Sequence, residues 1–259
     1  MLRSFVWSLS DVLLLLLCAM TISCGGSSNS GSGGPFNVVG SWQVNFNFDV
    51  GATATGFGAI NSAGLGAFLD TSGNIVVLPT ITGASSFSGN LTAYAVNPTF
   101  FPNGTPVETD TAQGKVNSAT SITGTFASST TSSGTFSISP YSALSGAPVA
   151  LSGTLHGNEI GFVNTLLLTF APDGTFTGGD NFGCNLSGTL AQEKSSNVFD
   201  VTFANVSGAC SSDARTGIAF ESKTDFFNVN GGADATYFYM MLLTSNLNNV
   251  RPGVIVIYQ

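Results

Sequence analysis

The chain has 259 residues, with 14 acidic against 6 basic side chains and a formal net charge of −8. That balance argues against nucleic-acid binding, which needs clustered Lys and Arg to replace phosphate counterions, and the single histidine excludes a metal centre built on several imidazoles. Only 8% of residues are charged, while Gly and Phe number 32 and 21 and Ser, Thr and Asn are plentiful, a composition that favours strands and turns over helix.

The first 23 residues read as an export signal. Arg3 is the one basic residue ahead of an uncharged run, VLLLLLCAMTI, from Val12 to Ile22. A membrane-spanning helix needs about 20 apolar residues, so this run is too short to span and fits the apolar core of a secretory signal peptide. Thr21-Ile22-Ser23-Cys24 resembles a bacterial lipobox, although Thr21 stands where such signals most often carry leucine. The resemblance implies cleavage before Cys24, a diacylglyceryl thioether on its sulfur and acylation of the new amino terminus. The alternative is an ordinary signal-peptidase cut that leaves Cys24 unmodified. Residues 24–35 contain GGSSNSGSGG, which has no apolar surface to bury and is expected to be a flexible linker. Its reach is roughly 15–20 Å by the square-root rule. Two or three acyl chains would make a stable anchor where one is marginal.

From residue 36 onward the pattern is β. Trp42 to Asp49 alternates apolar and polar without a fault, which predicts a strand with Trp42, Val44, Phe46 and Phe48 buried. Gly40-Ser41-Trp42 resembles the Gly-x-Trp signature on the first strand of lipocalin-type barrels, where the Trp plugs the closed end. A buried strand Trp is the plainer reading. Residues 97–115 read as a long polar loop, in which Phe100 and Phe101 are candidates for ligand or membrane contact. Ile122–Phe126 and Gly134–Ile138 are two further strands, with the Ser/Thr stretch 128–133 turning the chain between them. PYSALSGAP, ending at Pro148, marks a junction, so units of 36–145 and 146–259 are expected.

In the second unit Phe199, Val201 and Phe203 alternate with polar residues. Leu166–Leu168, Tyr237–Leu243 and Val254–Tyr258 are more uniformly apolar, which suggests strands covered on both faces or packed on a neighbour. Asp173-Gly174 and Asn230-Gly231 carry hairpin-turn chemistry. A weak internal echo pairs Asp70–Asn74 and Ser88–Thr92 with Pro172–Thr175 and Cys184–Leu190, as a duplicated β unit would. About sixteen strands are expected, in antiparallel meander barrels or sandwiches, with no amphipathic helix of more than two turns.

In an exported chain, Cys184 and Cys210 remain once Cys18 leaves with the signal and Cys24 is lipidated, and an even pair reads as a disulfide. Closing a loop of that length is worth roughly 3–4 kcal/mol in the chain-entropy treatment. From Leu151 on, the segments SGTLHG, FAPDGTFTGGDNFGCNLSGTL, NVFDVTF and the later Cys210 resemble the carboxy-terminal part of uncharacterised bacterial lipoproteins of proteobacteria and acidobacteria. The resemblance implies a bacterial envelope location, lipid-anchored and on the outer membrane in a diderm cell, and no chemistry.

No catalytic constellation stands out. A Ser-His-Asp triad would have to use His156, and no Gly-x-Ser-x-Gly elbow supplies a nucleophile. Asp173 and Asp180 flank a Gly-rich turn but match no calcium loop, so no metal and no cofactor is expected. The leading expectation is a non-enzymatic binding or surface-interaction module whose partner is an apolar small molecule or another envelope component. A structural envelope lipoprotein without a small ligand is the alternative, and a hydrolase using two carboxylates is third.

Overall fold

Alternation decides the first strand, and the rest of the architecture follows from the same period. The computed structural model describes residues 36–95, 101, 104–128, 133–141, 151–161, 164–193, 196–208, 213–229, 235–243 and 253–258. The predicted signal and linker, Cys24, Phe100, Cys210, Asn230-Gly231 and most of the predicted junction lie outside them. All sixteen elements among the described residues are strands.

The first barrel comprises β1 (Gly40–Phe48), β2 (Thr53–Ile60), β3 (Gly66–Asp70), β4 (Ile75–Leu78), β5 (Ser86–Tyr94), β6 (Val107–Ser118), β7 (Ser121–Ala127) and β8 (Gly134–Pro140). The second comprises β9 (Gly153–Glu159), β10 (Asn164–Phe170), β11 (Thr175–Asp180), β12 (Cys184–Gln192), β13 (Val198–Gly208), β14 (Asp213–Ser222), β15 (Tyr237–Leu243) and β16 (Gly253–Tyr258). Each is an up-and-down meander of antiparallel strands, closed by β1 against β8 and by β9 against β16. Closure gives every strand a neighbour on both sides, where an open sandwich would leave whole edge strands to protect.

Both interiors are mainly apolar. Trp42, Val44, Phe46, Ile60, Phe68 and Ile122 are among the buried side chains inside the first barrel. Leu168, Phe176, Phe203, Phe238, Met240 and Ile257 are among those inside the second. Inward glycines let aromatic rings fold across the barrel wall. Gly124 stands opposite Phe136, and a Cβ there would come within 2.2 Å of the ring tip. Gly188 stands opposite Phe176 with the corresponding distance 2.3 Å. The same device, a glycine roofed by a cross-strand phenylalanine, therefore recurs in both barrels and explains the Gly-Thr strands of each half.

A third apolar cluster lies between the barrels. Ala59, Ala67, Leu69 and Ile75 on the outside of the first barrel are buried with Ile218, Phe220, Tyr239, Met241, Val254 and Val256 on the outside of the second. Because one face of β15 and β16 fills its own barrel and the other meets the neighbour, both strands are apolar at nearly every position. At the rim of this seam Phe57 stacks on Phe226 at 4.4 Å, and Tyr141 packs on Phe57 at 4.9 Å. The Tyr239 hydroxyl donates to the Thr224 carbonyl and accepts from the Phe226 amide, both at 2.8 Å. Burial holds that phenol far above its ordinary range. A polar pair also bridges the barrels: the Asn61 amide donates to Asp200 at 2.7 Å, and the Ser62 hydroxyl donates to Glu193 at 2.8 Å.

Three expectations need correction. Leu166–Leu168 is not covered on both faces: Leu166 and Leu168 point inward while Leu167 is 49% exposed, so the strand alternates like its neighbours. The supposed loop 97–115 contains the whole first half of β6, which runs for 12 residues from Val107. The internal echo also falls out of step. Asp70–Asn74 joins the third and fourth strands of its barrel, whereas Pro172–Thr175 joins the second and third of the other. The echoed segments are therefore offset by one strand between the two barrels.

Candidate functional site

The two ends of the first barrel differ. At one end the Trp42 indole is 3% exposed and donates to the Val38 carbonyl at 2.8 Å. The Phe36 amide donates to the Gly83 carbonyl at 2.9 Å, tying the entering chain across the same end. Val38 and Ile81 complete a buried plug there.

The other end holds a cleft of about 260 Å³. Its apolar wall includes Phe46 and Phe48 from β1, Ala54 from β2, Val76 from β4, Leu91 and Ala93 from β5, and Phe126 from β7. The rings form an edge-to-face group, with Phe126 at 5.8 Å from Phe46 and 5.4 Å from Phe48. Phe101 leans on the rim. It is held by a turn in which its amide donates to the Thr105 carbonyl at 3.0 Å and its carbonyl accepts from the Gly104 amide at 2.8 Å.

The polar part of the cleft is acidic. Asp70, Glu108 and Asp110 line it, and no Lys, Arg or His does. Asp70 is occupied by its own turn, accepting from the Ser72 and Asn74 amides and from the Asn74 side chain, each at 2.8 Å. Glu108 and Asp110 are two residues apart on β6, so both point inward in line with Ala112. The Ser128 hydroxyl donates to Glu108 at 3.0 Å. Asp110 is 9% exposed, and its Oδ1 is buried without a hydrogen-bond partner among the described residues. Burial pushes the Asp110 carboxyl above the ordinary Asp range; the Ser128 hydroxyl opposes this and the Glu108 charge adds to it.

This predicts a pH dependence of stability. The folded chain keeps the Asp110 proton at pH values where the unfolded chain has released it. The resulting stabilisation is complete below the ordinary Asp value of about 3.9 and declines as pH rises through the raised folded value. Asp200 works in the same direction, raised by partial burial first, with the Asn61 bond opposing and Glu193 adding, but solvent weakens its contribution. Asp110→Asn is therefore expected to flatten the decline and to raise the urea midpoint near neutral pH. Superimposable midpoint-versus-pH curves for the variant and wild type between about pH 4 and pH 7 would remove Asp110 from this account.

The other residues singled out from sequence are dispersed. Cys184 opens β12 and is buried. His156 sits in mid-strand on the outside of β9, its ring 6.4 Å from that of Tyr258, not at a strand end. Asp173 accepts from the Thr175 amide at 3.0 Å and its hydroxyl at 2.7 Å, and these bonds hold the carboxyl below its ordinary range. Asp180 accepts from the Phe182 and Cys184 amides at 2.9 Å. Both carboxylates are thus turn-formers. Among the described residues no group of three or more His, Cys, Asp and Glu is arranged to hold a metal ion. Of the two candidate phenylalanines, Phe101 belongs to the cleft and Phe100 is outside the described residues. Sequence reading missed Glu108 and Asp110, although the alternation Glu108, Asp110, Ala112 against Thr109, Thr111, Gln113 carried the signal.

Comparison with family models, curated proteins and solved structures gives no match for this chain.

Proposed function

We propose that the protein is a lipid-anchored module of the bacterial cell envelope that binds a small, apolar-bodied molecule in the mouth of its first barrel. The observation that carries this reading is the asymmetry of that barrel: a Trp42 plug at one end and a phenylalanine-walled cleft at the other. Because the chain enters at the plugged end, the mouth is at the end away from the entering chain. The cleft volume lies just under the roughly 300 Å³ at which drug-sized pockets begin, so the ligand is of single-ring size. The second barrel, whose interior is filled by Leu, Phe and Met side chains, acts as a buttress for the first. Its filled interior is the observation that favours a purely structural role, and the test below separates the two.

Binding of toluene, followed by ligand-observed NMR, is expected to be saturable, and Ala93→Phe is expected to weaken it at least about tenfold by filling the cleft. Undiminished binding by that variant would take the site away from the mouth. The protein is read as a binder and not as a hydrolase because Glu108 and Asp110 sit side by side on one strand. Glycoside hydrolysis needs its two carboxyl groups on opposite sides of the scissile bond.

The anchor and the disulfide complete the proposal. The lipobox-like segment and the resemblance to bacterial lipoproteins support lipidation of Cys24. A Cys184–Cys210 bond is supported by the even pair of cysteines left in the exported chain and by a register that sets Cys184 opposite Gly208, two residues short of Cys210. Mass spectrometry of membrane-extracted protein, alkylated after unfolding without reduction, checks both. An acylated amino-terminal Cys24 and unlabelled Cys184 and Cys210 are expected. An intact residue 1–23 segment would end the anchor reading, and alkyl groups on both later cysteines would end the disulfide.

A further inference from the structure

We infer that the ligand of the first-barrel mouth is an organic monocation, an ammonium group on a small aromatic or aliphatic body, with its charge against Asp110 and its body among Phe46, Phe48 and Phe126. This rests on the cleft being a binding site, as proposed above, and adds the chemical class of the molecule. Three observations converge on it. The first is the unmatched acceptor. Asp110 Oδ1 is buried with no hydrogen-bond partner among the described residues, and a buried carboxylate oxygen left so costs more than an ordinary hydrogen bond gains. Such an atom is matched when a donor enters the cleft. The second is the charge of the lining. Among the described residues it carries three carboxylates and no cationic side chain, so no positive charge in the wall neutralises Asp110. Asp70 is consumed by its own turn, and the Ser128 hydroxyl serves Glu108 and the Asp110 carboxyl, which leaves Asp110 Oδ1 as the acceptor on offer. The third is the aromatic wall. Ring faces attract cations through their quadrupole, the more so the further the cation is desolvated. The T-shaped contacts of Phe126 with Phe46 and Phe48 keep differently oriented rings around the same space.

An anion would meet repulsion from Glu108 and Asp110. A neutral molecule would leave the Asp110 oxygen unpaired unless it brought a hydroxyl. An ammonium supplies both the donor and the charge, and a charge-assisted bond is roughly twice as strong as a neutral one. The raised Asp110 carboxyl agrees with this reading, since it is the expected condition of an acid built to face a cation that has not arrived.

The test compares 2-phenylethylammonium with its neutral isostere 2-phenylethanol by isothermal titration near neutral pH, on wild type and on Asp110→Asn, a substitution that keeps side-chain shape. The ammonium is expected to bind wild type at least about tenfold more tightly than the alcohol. Asp110→Asn is expected to erase that preference while leaving alcohol binding within about twofold. Retained alcohol binding shows that the variant is folded and its cleft intact. If the alcohol binds wild type as tightly as the ammonium, the cation assignment is wrong while the cleft reading stands. If neither binds and toluene does not bind either, both readings fall. If ammonium binding survives Asp110→Asn unchanged, the cation sits elsewhere and this inference is overturned.

Discussion

Trp42→Ala is expected to destabilise the protein by about 3–5 kcal/mol, the range for truncating a large buried aromatic. Three losses combine. The indole is almost fully enclosed at 3% exposure, so its apolar area is exchanged for a cavity. Its N–H is the partner of the Val38 carbonyl, and removing it strands an acceptor inside the plug. Its register partner on β2 is Gly58, which carries no side chain that could move into the gap, and beyond Gly58 stands Phe68, already fully buried. Small domains hold only about 5–15 kcal/mol in total, so the variant keeps a small remainder. Urea unfolding followed by far-UV circular dichroism measures it. Trp42→Phe separates the terms, because it keeps most of the ring and loses the N–H, and an intermediate cost is expected. A midpoint for Trp42→Ala equal to that of wild type would show that the end of the barrel is closed by something other than this side chain.

How much of this was legible depended on whether each strand face had one kind of neighbour. β1 was readable at Trp42, Val44 and Phe46, because its inner face is apolar and the period of two is unbroken, whereas Phe48, expected to be buried, is half-buried where the barrel opens into the cleft. The uniform runs of β15 and β16 correctly announced cover on both faces. That the cover is another barrel of the same chain is a tertiary fact, since Ala59, Leu69 and Ile75 are individually unremarkable alternating residues. Leu167 shows the limit of the run argument: three leucines in a row predicted double burial, and the middle one is on the surface. β6 was missed for the opposite reason. A functional interior places Glu108 and Asp110 where the period expects apolar side chains, and two inward acids make a strand read as a polar loop. The same substitution of acid for hydrocarbon that hid the element marks the cleft. Barrel as against sandwich was not decidable from pattern, because the two bury one face of each strand alike and differ only in whether the first and last strands meet.

Ile218→Asp is expected to cost at least about 4 kcal/mol and to uncouple the barrels. Ile218 is 0% exposed in the seam between them, on the outside of β14. Losing its side chain from a core removes about 2–5 kcal/mol, and an unsatisfied polar group left in its place adds about 1–3 kcal/mol. The position compounds the effect, because its register partners are Asp200 on β13 and Met241 on β15. The new carboxyl therefore meets thioether on one side and, on the other, an acid whose proton affinity is already raised by partial burial and by Glu193. Neither neighbour can neutralise it, so one of the two carboxyls must be protonated or the seam must open. Opening exposes the aromatic and Met face of β15, which no isolated barrel could keep soluble at that size of apolar patch. Wild type is accordingly expected to unfold in one cooperative transition and the variant to show either two transitions or aggregation, while Ile218→Val, which keeps the seam apolar, behaves like wild type within about 1.5 kcal/mol. A single transition for Ile218→Asp at the wild-type urea midpoint would mean that the seam contributes nothing to stability and that each barrel stands alone.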